Sequence, residues 1–431
     1  MDLASPNQAA ARPQHRQGPR PLALHLANAS LTWLSSQAAL PLLKSGSLPW
    51  KPELAANGSA LLKSLEASDS AEFGRALERE LRRRAGLFLK GIEAYRHHPY
   101  RRDMEDMPVL WQEGSTRLLD YAPAGGAPVL AVPSLINRGY ILDLAPGNSL
   151  LRYLATQGLR PFLVDWGAPG EVERRFTLTD YIAGRLEKAA EAVSQASGVA
   201  QAGQGPGRRV EQKSNRGGTI SVLGYCMGGN LALALADRRP DLVRSLALLA
   251  TPWKFHAERP EQARLLGSLT GSFAVSFASL GEVPVDVLQA VFAALDPLLA
   301  VKKFSRFATM DQDGEGARAF VALEDWLNDG VALALPAALE CLGDWYGRDT
   351  PGRGEWRVDG RAVQPRNVQQ PSLVMVPAQD RIVPPLSAAA LADELPNAER
   401  FTPPLGHIGM VVAHEAPKDT WPKLAGWLKE H

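Results

Sequence analysis

Cysteine is scarce in this chain: its 431 residues contain two, Cys226 and Cys341. Two distant thiols do not make the disulfide framework of a small secreted protein and offer no metal-ligand spacing. A reducing, cytoplasmic setting without a metal site is expected. Long apolar runs are missing too. Nothing approaches the roughly 20 consecutive apolar residues of a membrane-spanning helix, so no transmembrane span is expected. Residues 1–20 are rich in Gln, Arg and Pro and lack the apolar core of a signal peptide, and they read as a disordered tail. Neither sign of charge dominates: 47 Lys and Arg stand against 46 Asp and Glu, a net +1, which argues against a nucleic-acid partner. There is no internal repeat. The 45% hydrophobic fraction is that of a globular chain, and the length allows a large core.

The chain opens with helical patterns. Residues 21–100 are expected to form a helical region. Residues 22–43 are apolar and carry Trp33; they pack on the body or lie on a lipid or polymer surface. Residues 45–59 hold Gly and Pro and read as a loop. In 70–96, Phe73, Leu77, Leu81, Phe88, Ile92 and Tyr95 fall at helical spacing, and Arg82, Arg83 and Arg84 read as a solvated face in preference to an anion contact. Short apolar strands then alternate with helices. Strands are expected at 111–121 (one or two antiparallel strands with a turn at Glu113-Gly114), 128–133, 160–165, 219–223, 242–249, 371–377 and 399–401. Helices are expected at 150–156, 181–197, 389–395 and 421–429. Residues 199–218 read as a polar, glycine-rich surface insertion. This rhythm predicts an α/β fold with a mostly parallel sheet and helices on both faces. The core is divided into 101–251 and 351–431. Residues 252–350 break the rhythm with several helical patterns and read as an inserted helical cap.

The centre of the chain is Gly224-Tyr-Cys-Met-Gly-Gly229. A β-branched, apolar run leads into it and apolar helix formers follow, so it reads as strand, sharp turn and helix. It matches the nucleophile elbow G-x-S-x-G with cysteine for serine. In such a turn the residues two before and two after the nucleophile come close, which suits Gly224 and Gly228. The helix N-terminus directs free N–H groups and a positive dipole end at Cys226 and favours an anion there. The bland alternative is a buried small cysteine in a strand-to-helix turn.

A cysteine nucleophile needs a base, and the base needs an orienting group. His407 lies in the glycine-flanked loop Leu405-Gly-His-Ile-Gly409, after an expected strand. Asp380 lies in Asp380-Arg-Ile-Val-Pro-Pro385, past the strand ending near Val376. The order Cys226, Asp380, His407 is the nucleophile–acid–histidine order of α/β-hydrolases. Taken singly, Asp380 could begin a turn and His407 could cap or pack. Asp165 is a competing acid and His414 a competing base. The oxyanion hole requires two backbone donors. Met227, after the nucleophile, is the first. The second is expected from the loop 133–137, at Leu135 or Ile136, with Ile136 chosen.

Four stretches together resemble the polyhydroxyalkanoate synthases, a cysteine-dependent branch of the α/β-hydrolase superfamily. They are Pro133-Ser-Leu-Ile-Asn-Arg-Gly-Tyr-Ile-Leu-Asp-Leu144, Phe162-Leu-Val-Asp-Trp166, the elbow at 224–229, and Asp380–Pro385 with Gly406-His-Ile-Gly409. The likeness covers roughly residues 100–430. Two departures stand out: the family's Pro-Pro-Trp-Ile-Asn is Pro-Ser-Leu-Ile-Asn here, and Asp165-Trp166 replaces Ser-Trp. The resemblance implies an acyltransferase that polymerises 3-hydroxyacyl-CoA into polyhydroxyalkanoate through an acyl-enzyme on Cys226. His407 is then the base and Asp380 its orienting acid. No cofactor is implied, since coenzyme A is the leaving group. The implied partners are 3-hydroxyacyl-CoA, the growing polyester, the granule surface, and either a second copy in a homodimer or a partner synthase subunit. The alternative is a polyhydroxyalkanoate depolymerase or acyl thioesterase using the same triad with water. A non-enzymatic granule-binding scaffold is the third reading.

Overall fold

The computed structural model describes residues 16–202 and 218–431. The start of the expected tail and most of the expected insertion after residue 199 lie outside the described residues. The chain forms two compact units, one of residues 102–288 and 329–431, the other of residues up to 101 with 289–328.

The larger unit is built on an eight-stranded sheet. Its strands are β1 (Val109–Glu113), β2 (Thr116–Asp120), β3 (Ala127–Val132), β4 (Leu159–Asp165), β5 (Ile220–Tyr225), β6 (Val243–Leu249), β7 (Ser372–Met375) and β8 (Ala398–Phe401). The spatial order is β1-β2-β4-β3-β5-β6-β7-β8. β1 and β2 are antiparallel, as is β2 against β4; every later pairing is parallel. This is the expected α/β-hydrolase sheet. All six β5 residues are buried, so both of its faces are covered, which explains why the central strands read as unbroken apolar runs. The register matters most for function. Val132 pairs with Gly224, Tyr225 with Leu249, Leu249 with Met375, and Met375 with Phe401. The carboxyl ends of five parallel strands therefore stop along one line, and the loops after them open on a common edge.

Helices Pro260–Ser268, Thr270–Phe277 and Leu335–Glu340 belong to this unit, together with a short ribbon of Glu282–Val283 against Leu333–Ala334. Two π-helical turns, Asp180–Leu186 and Cys341–Gly347, were not visible in the apolar pattern. One carboxyl here is poorly solvated. Burial raises Glu340 to about 7 despite the Leu178 N–H, and the charge of Asp180 adds to the rise. The folded carboxyl thus holds its proton more tightly than the unfolded one. Its contribution is most favourable below about pH 4.5 and is lost as pH rises through 7. Glu340→Gln should leave stability unchanged at pH 4 and raise it by about 1–3 kcal/mol at pH 8. Urea denaturation at the two pH values reads this, and equal gains at both would rule out the burial argument.

The smaller unit is helical. Its long helix Ser70–His97 begins at Asp69, whose side chain accepts the Glu72 N–H at 2.7 Å. Phe88, Ile92 and Tyr95 on that helix pack with Ala29, Phe304, Phe307 and Val321. Helices Leu299–Phe307 and Glu315–Asn328 thus share a core with the N-terminal helices, and the stretch 252–350 is divided between the two units. Leu22, Leu26 and Trp33 pack on this core, whereas Leu31 and Leu34 stay exposed. Arg82, Arg83 and Arg84 pair with Glu78 and Glu80 on the exposed helix face, the solvated arrangement expected of them. The loop expected over 45–59 is shorter than that: helix Ala55–Glu66 starts within it. Gly58 is no breaker there, because it leaves room for the Trp50 ring, which a Cβ would overlap.

Candidate active site

Strand β5 ends at Tyr225, and the chain turns sharply at Cys226, with φ 56° and ψ −131°. A non-glycine residue pays strain in this region, so the surroundings must hold it. They do so by crowding. Helix Met227–Arg238 starts at once, and its first turn lies against the end of β3. A Cβ on Gly228 would overlap the Val132 carbonyl oxygen, and one on Gly229 would overlap the Thr251 hydroxyl. The Cys226 N–H donates to Leu249 O at 2.8 Å, which ties the turn to β6. Cys226 remains partly exposed, whereas Cys341 is buried.

Asp380 and His407 come from the loops after β7 and β8. The two loops are joined by Ala378 N–H to Pro403 O and Gln379 N–H to Leu405 O, both at 2.9 Å. Asp380 Oδ1 accepts the N–H groups of Ile382 (2.8 Å) and Val383 (2.9 Å). Its Oδ2 accepts His407 Nδ1–H at 2.7 Å. The other side of the imidazole meets Cys226, with which His407 forms a hydrogen bond. Burial disfavours an imidazolium here. The negative charge of Cys226, its hydrogen bond and the Asp380 carboxylate outweigh that, and His407 is pushed up to about 10. Burial and the Cys226 charge also hold the Tyr346 phenol above its ordinary range, which places Tyr346 within electrostatic reach of the thiol. Burial pushes the Cys341 thiol far up.

The competitors are occupied elsewhere. Asp165 pairs with Arg117 at 2.6 Å, and His414 Nε2 lies 2.9 Å from Lys418 Nζ on the surface.

Met227 heads its helix, so its amide lacks an intrahelical acceptor. At Ile136, the expected second donor, the amide is already engaged. The Ile136 N–H is turned back onto Ser134 Oγ at 3.1 Å, a local serine turn. Leu135 N–H meets no protein acceptor among the described residues and is the better candidate. The Trp166 indole N–H donates to Pro133 O at 3.1 Å and anchors this loop. Farther along, Asp143 takes Arg152 Nε (2.9 Å) and the Tyr121 hydroxyl (3.1 Å), which accounts for the acidic residue in Tyr140-Ile-Leu-Asp-Leu144. Sequence reasoning missed the anchoring part of Trp166; its only signal was its place directly after a strand beside β3.

Among the described residues no His, Cys, Asp and Glu cluster could hold a metal ion, and no helix is long and apolar enough to cross a membrane.

Comparison with known proteins agrees with this architecture. Residues 106–154 match the family model "Poly-beta-hydroxybutyrate polymerase (PhaC) N-terminus", and residues 208–413 match the α/β hydrolase fold model. The chain is similar to the poly(3-hydroxyalkanoate) polymerase subunit PhaC of Synechocystis, 32% identical over 70% of this chain and 78% of that one. The PhaC subunit of Haloferax mediterranei is 30% identical over 75% of this chain, and the match spans 63% of that relative's length. For the PhaC subunit of Cupriavidus necator the identity is 29%, over 70% of this chain and 51% of that one. Among solved structures, a soluble variant of monoglyceride lipase from Saccharomyces cerevisiae aligns with 78% of this chain and 98% of its own, at 13% identity and a TM-score of 0.49. By sequence likeness along most of its length, the chain belongs to the poly(3-hydroxyalkanoate) polymerase family.

Proposed function

We propose that the protein polymerises 3-hydroxyacyl-CoA thioesters into a polyester through an acyl-enzyme on Cys226. The observation that carries this is the line Cys226–His407–Asp380, with a thiol at a helix N-terminus bonded to an imidazole that favours its proton. With the Cys226 proton already resting on His407 Nε2, the sulfur attacks the thioester carbonyl. The amides of Met227 and Leu135 receive the oxyanion. When the intermediate collapses, the bond to the CoA sulfur breaks, His407 returns the proton, and CoA leaves as the thiol. One thioester has replaced another, a nearly balanced exchange that suits cysteine over serine. Next, the hydroxyl of a growing chain gives its proton to His407 and attacks the acyl-enzyme. An ester bond forms, and Cys226 leaves as the thiolate, with that proton resting on His407. Asp380 keeps the imidazole oriented throughout. The scheme calls on no cofactor.

Water must be held back, or the same groups release free hydroxy acid. The helices of 252–288 and 329–350, with Tyr346 near the thiol, are the elements that would exclude it. A place at the granule surface suits an insoluble product, and the reducing, cytoplasmic setting expected from the two distant cysteines belongs to the same proposal. A homodimer or a partner synthase subunit, implied by the family resemblance, belongs to the same proposal.

The test is incubation with 3-hydroxybutyryl-CoA, following free CoA and acid-insoluble polymer, beside Cys226→Ala. CoA release with polymer, absent in the variant, is the expected result. CoA release with soluble hydroxy acid alone would replace the polymerase reading by a thioesterase. Release that survives Cys226→Ala would remove Cys226 from the mechanism.

A further inference from the structure

Tyr225 occupies the free position of the G-x-C-x-G pattern, where the turn itself demands no particular side chain. It is 3% exposed, between the nucleophile in sequence and the base in space. Its hydroxyl donates to the His407 carbonyl oxygen at 3.2 Å, across 182 residues of chain. Its ring lies 5.4 Å from the imidazole, tilted by 37°.

The His407 carbonyl has a particular need of that donor. The short helix Gly409–Val412 follows directly, and in regular helical pairing the Val411 N–H would reach back to His407 O. It donates to Ile408 O at 3.0 Å, and Val412 N–H donates to the same carbonyl at 3.1 Å. Among the described residues no backbone N–H reaches His407 O, so Tyr225 supplies its hydrogen bond. The remaining ties of the loop hold its earlier part, at Pro403 and Leu405, and its later part, at Gly406 through Met410 N–H (3.0 Å). Asp380 fixes the rotation of the imidazole but not the main chain that carries it. A buried acceptor left without a donor would draw the loop toward another partner and the ring with it.

We propose that Tyr225 is a positioning residue for the base: its hydroxyl latches the main chain at His407, and its ring backs the imidazole, so that Nε2 stays in reach of Cys226. Burial keeps the phenol protonated, so the latch holds its donor across the working pH range. The face of the ring also suits an imidazolium, which a π-system attracts at this separation. This inference rests on the triad reading, but not on the identity of the acyl acceptor.

Alkylation of Cys226 by iodoacetamide tests it without any acyl substrate, so a failure of the polymerase reading leaves the test intact. Rate constants between pH 5 and 9 are compared for the wild type, Tyr225→Phe, His407→Ala and the double variant. With a misplaced base, Tyr225→Phe should lose reactivity at pH 6 by about 10-fold, and CoA release should fall through kcat with KM held. In the His407→Ala background the same substitution should change nothing, because Tyr225 acts through the histidine. Tyr225→Met, which also removes the donor, takes the place of the phenylalanine variant should the latter not fold. An unchanged pH profile in Tyr225→Phe would overturn the proposal, as would an equal loss with and without His407, the mark of a merely structural role.

Discussion

His407→Ala should lower CoA release from 3-hydroxyacyl-CoA by about 10³-fold or more, within or above the usual span for losing a general base. The same variant should change the chemistry of the thiol itself. His407 is raised to about 10 by the charge and hydrogen bond of Cys226 and by Asp380, against the opposing effect of burial. The sign is plain: an imidazole whose folded pKa lies above its ordinary 6.5 keeps its proton through neutral pH and loses it only near pH 10. Wild-type Cys226 therefore faces a cation over the whole working range. Alanine removes that cation, and alkylation of the thiol at pH 6 should fall about 100-fold. Cys341 will not obscure the measurement, since burial suppresses its ionisation and it is the only other cysteine. Wild-type CoA release should stay level between pH 7 and 9. It should fall toward pH 10, where His407 in the free enzyme loses the proton that the cycle hands to the departing thiolate. Equal alkylation of wild type and variant at pH 6 would show that the two side chains are not coupled.

Gly228→Ala should cost about 3–5 kcal/mol and abolish activity, a large effect for one methyl group. The added Cβ would overlap the Val132 carbonyl oxygen and lie 2.6 Å from both C and O of Pro133. That is backbone, not the end of a flexible side chain. Val132 closes β3, which is held by β4 on one side and β5 on the other, so it cannot retreat without breaking a ladder. Helix Met227–Arg238 would have to move away instead, taking the candidate oxyanion amide of Met227 with it. Gly426→Ala is the control: it sits in helix Thr420–Glu430 with no atom within 4 Å of the added Cβ, and should be neutral or stabilising by up to about 1 kcal/mol. Urea denaturation of both variants separates them. A Gly228→Ala protein as stable as the control would show that the elbow has room the distances deny.

The sequence by itself determined which residues stand at strand ends. Apolar runs of five or six residues bounded by Gly, Pro and Asp mark strands, and Cys226, Asp380 and His407 each follow one. Parallel strands in a common register bring such ends to one edge, so three residues scattered over 182 positions could be expected to meet. What only the tertiary structure decided is of another kind. Ile136 looked as good a donor as Leu135 until the Ser134 hydroxyl was seen to take its amide. Residues 289–328 read as cap, yet their apolar faces pack with Phe88 and Tyr95, because an amphipathic stripe says that a helix packs and not against what. Tyr225 and Trp166 carry no motif signal for their bonds to His407 and Pro133, since each spans distant parts of the chain to a backbone carbonyl. Local pattern records what a segment does to itself. Which buried carbonyl is left without a donor, and which side chain arrives to supply one, is settled only when the strands have assembled.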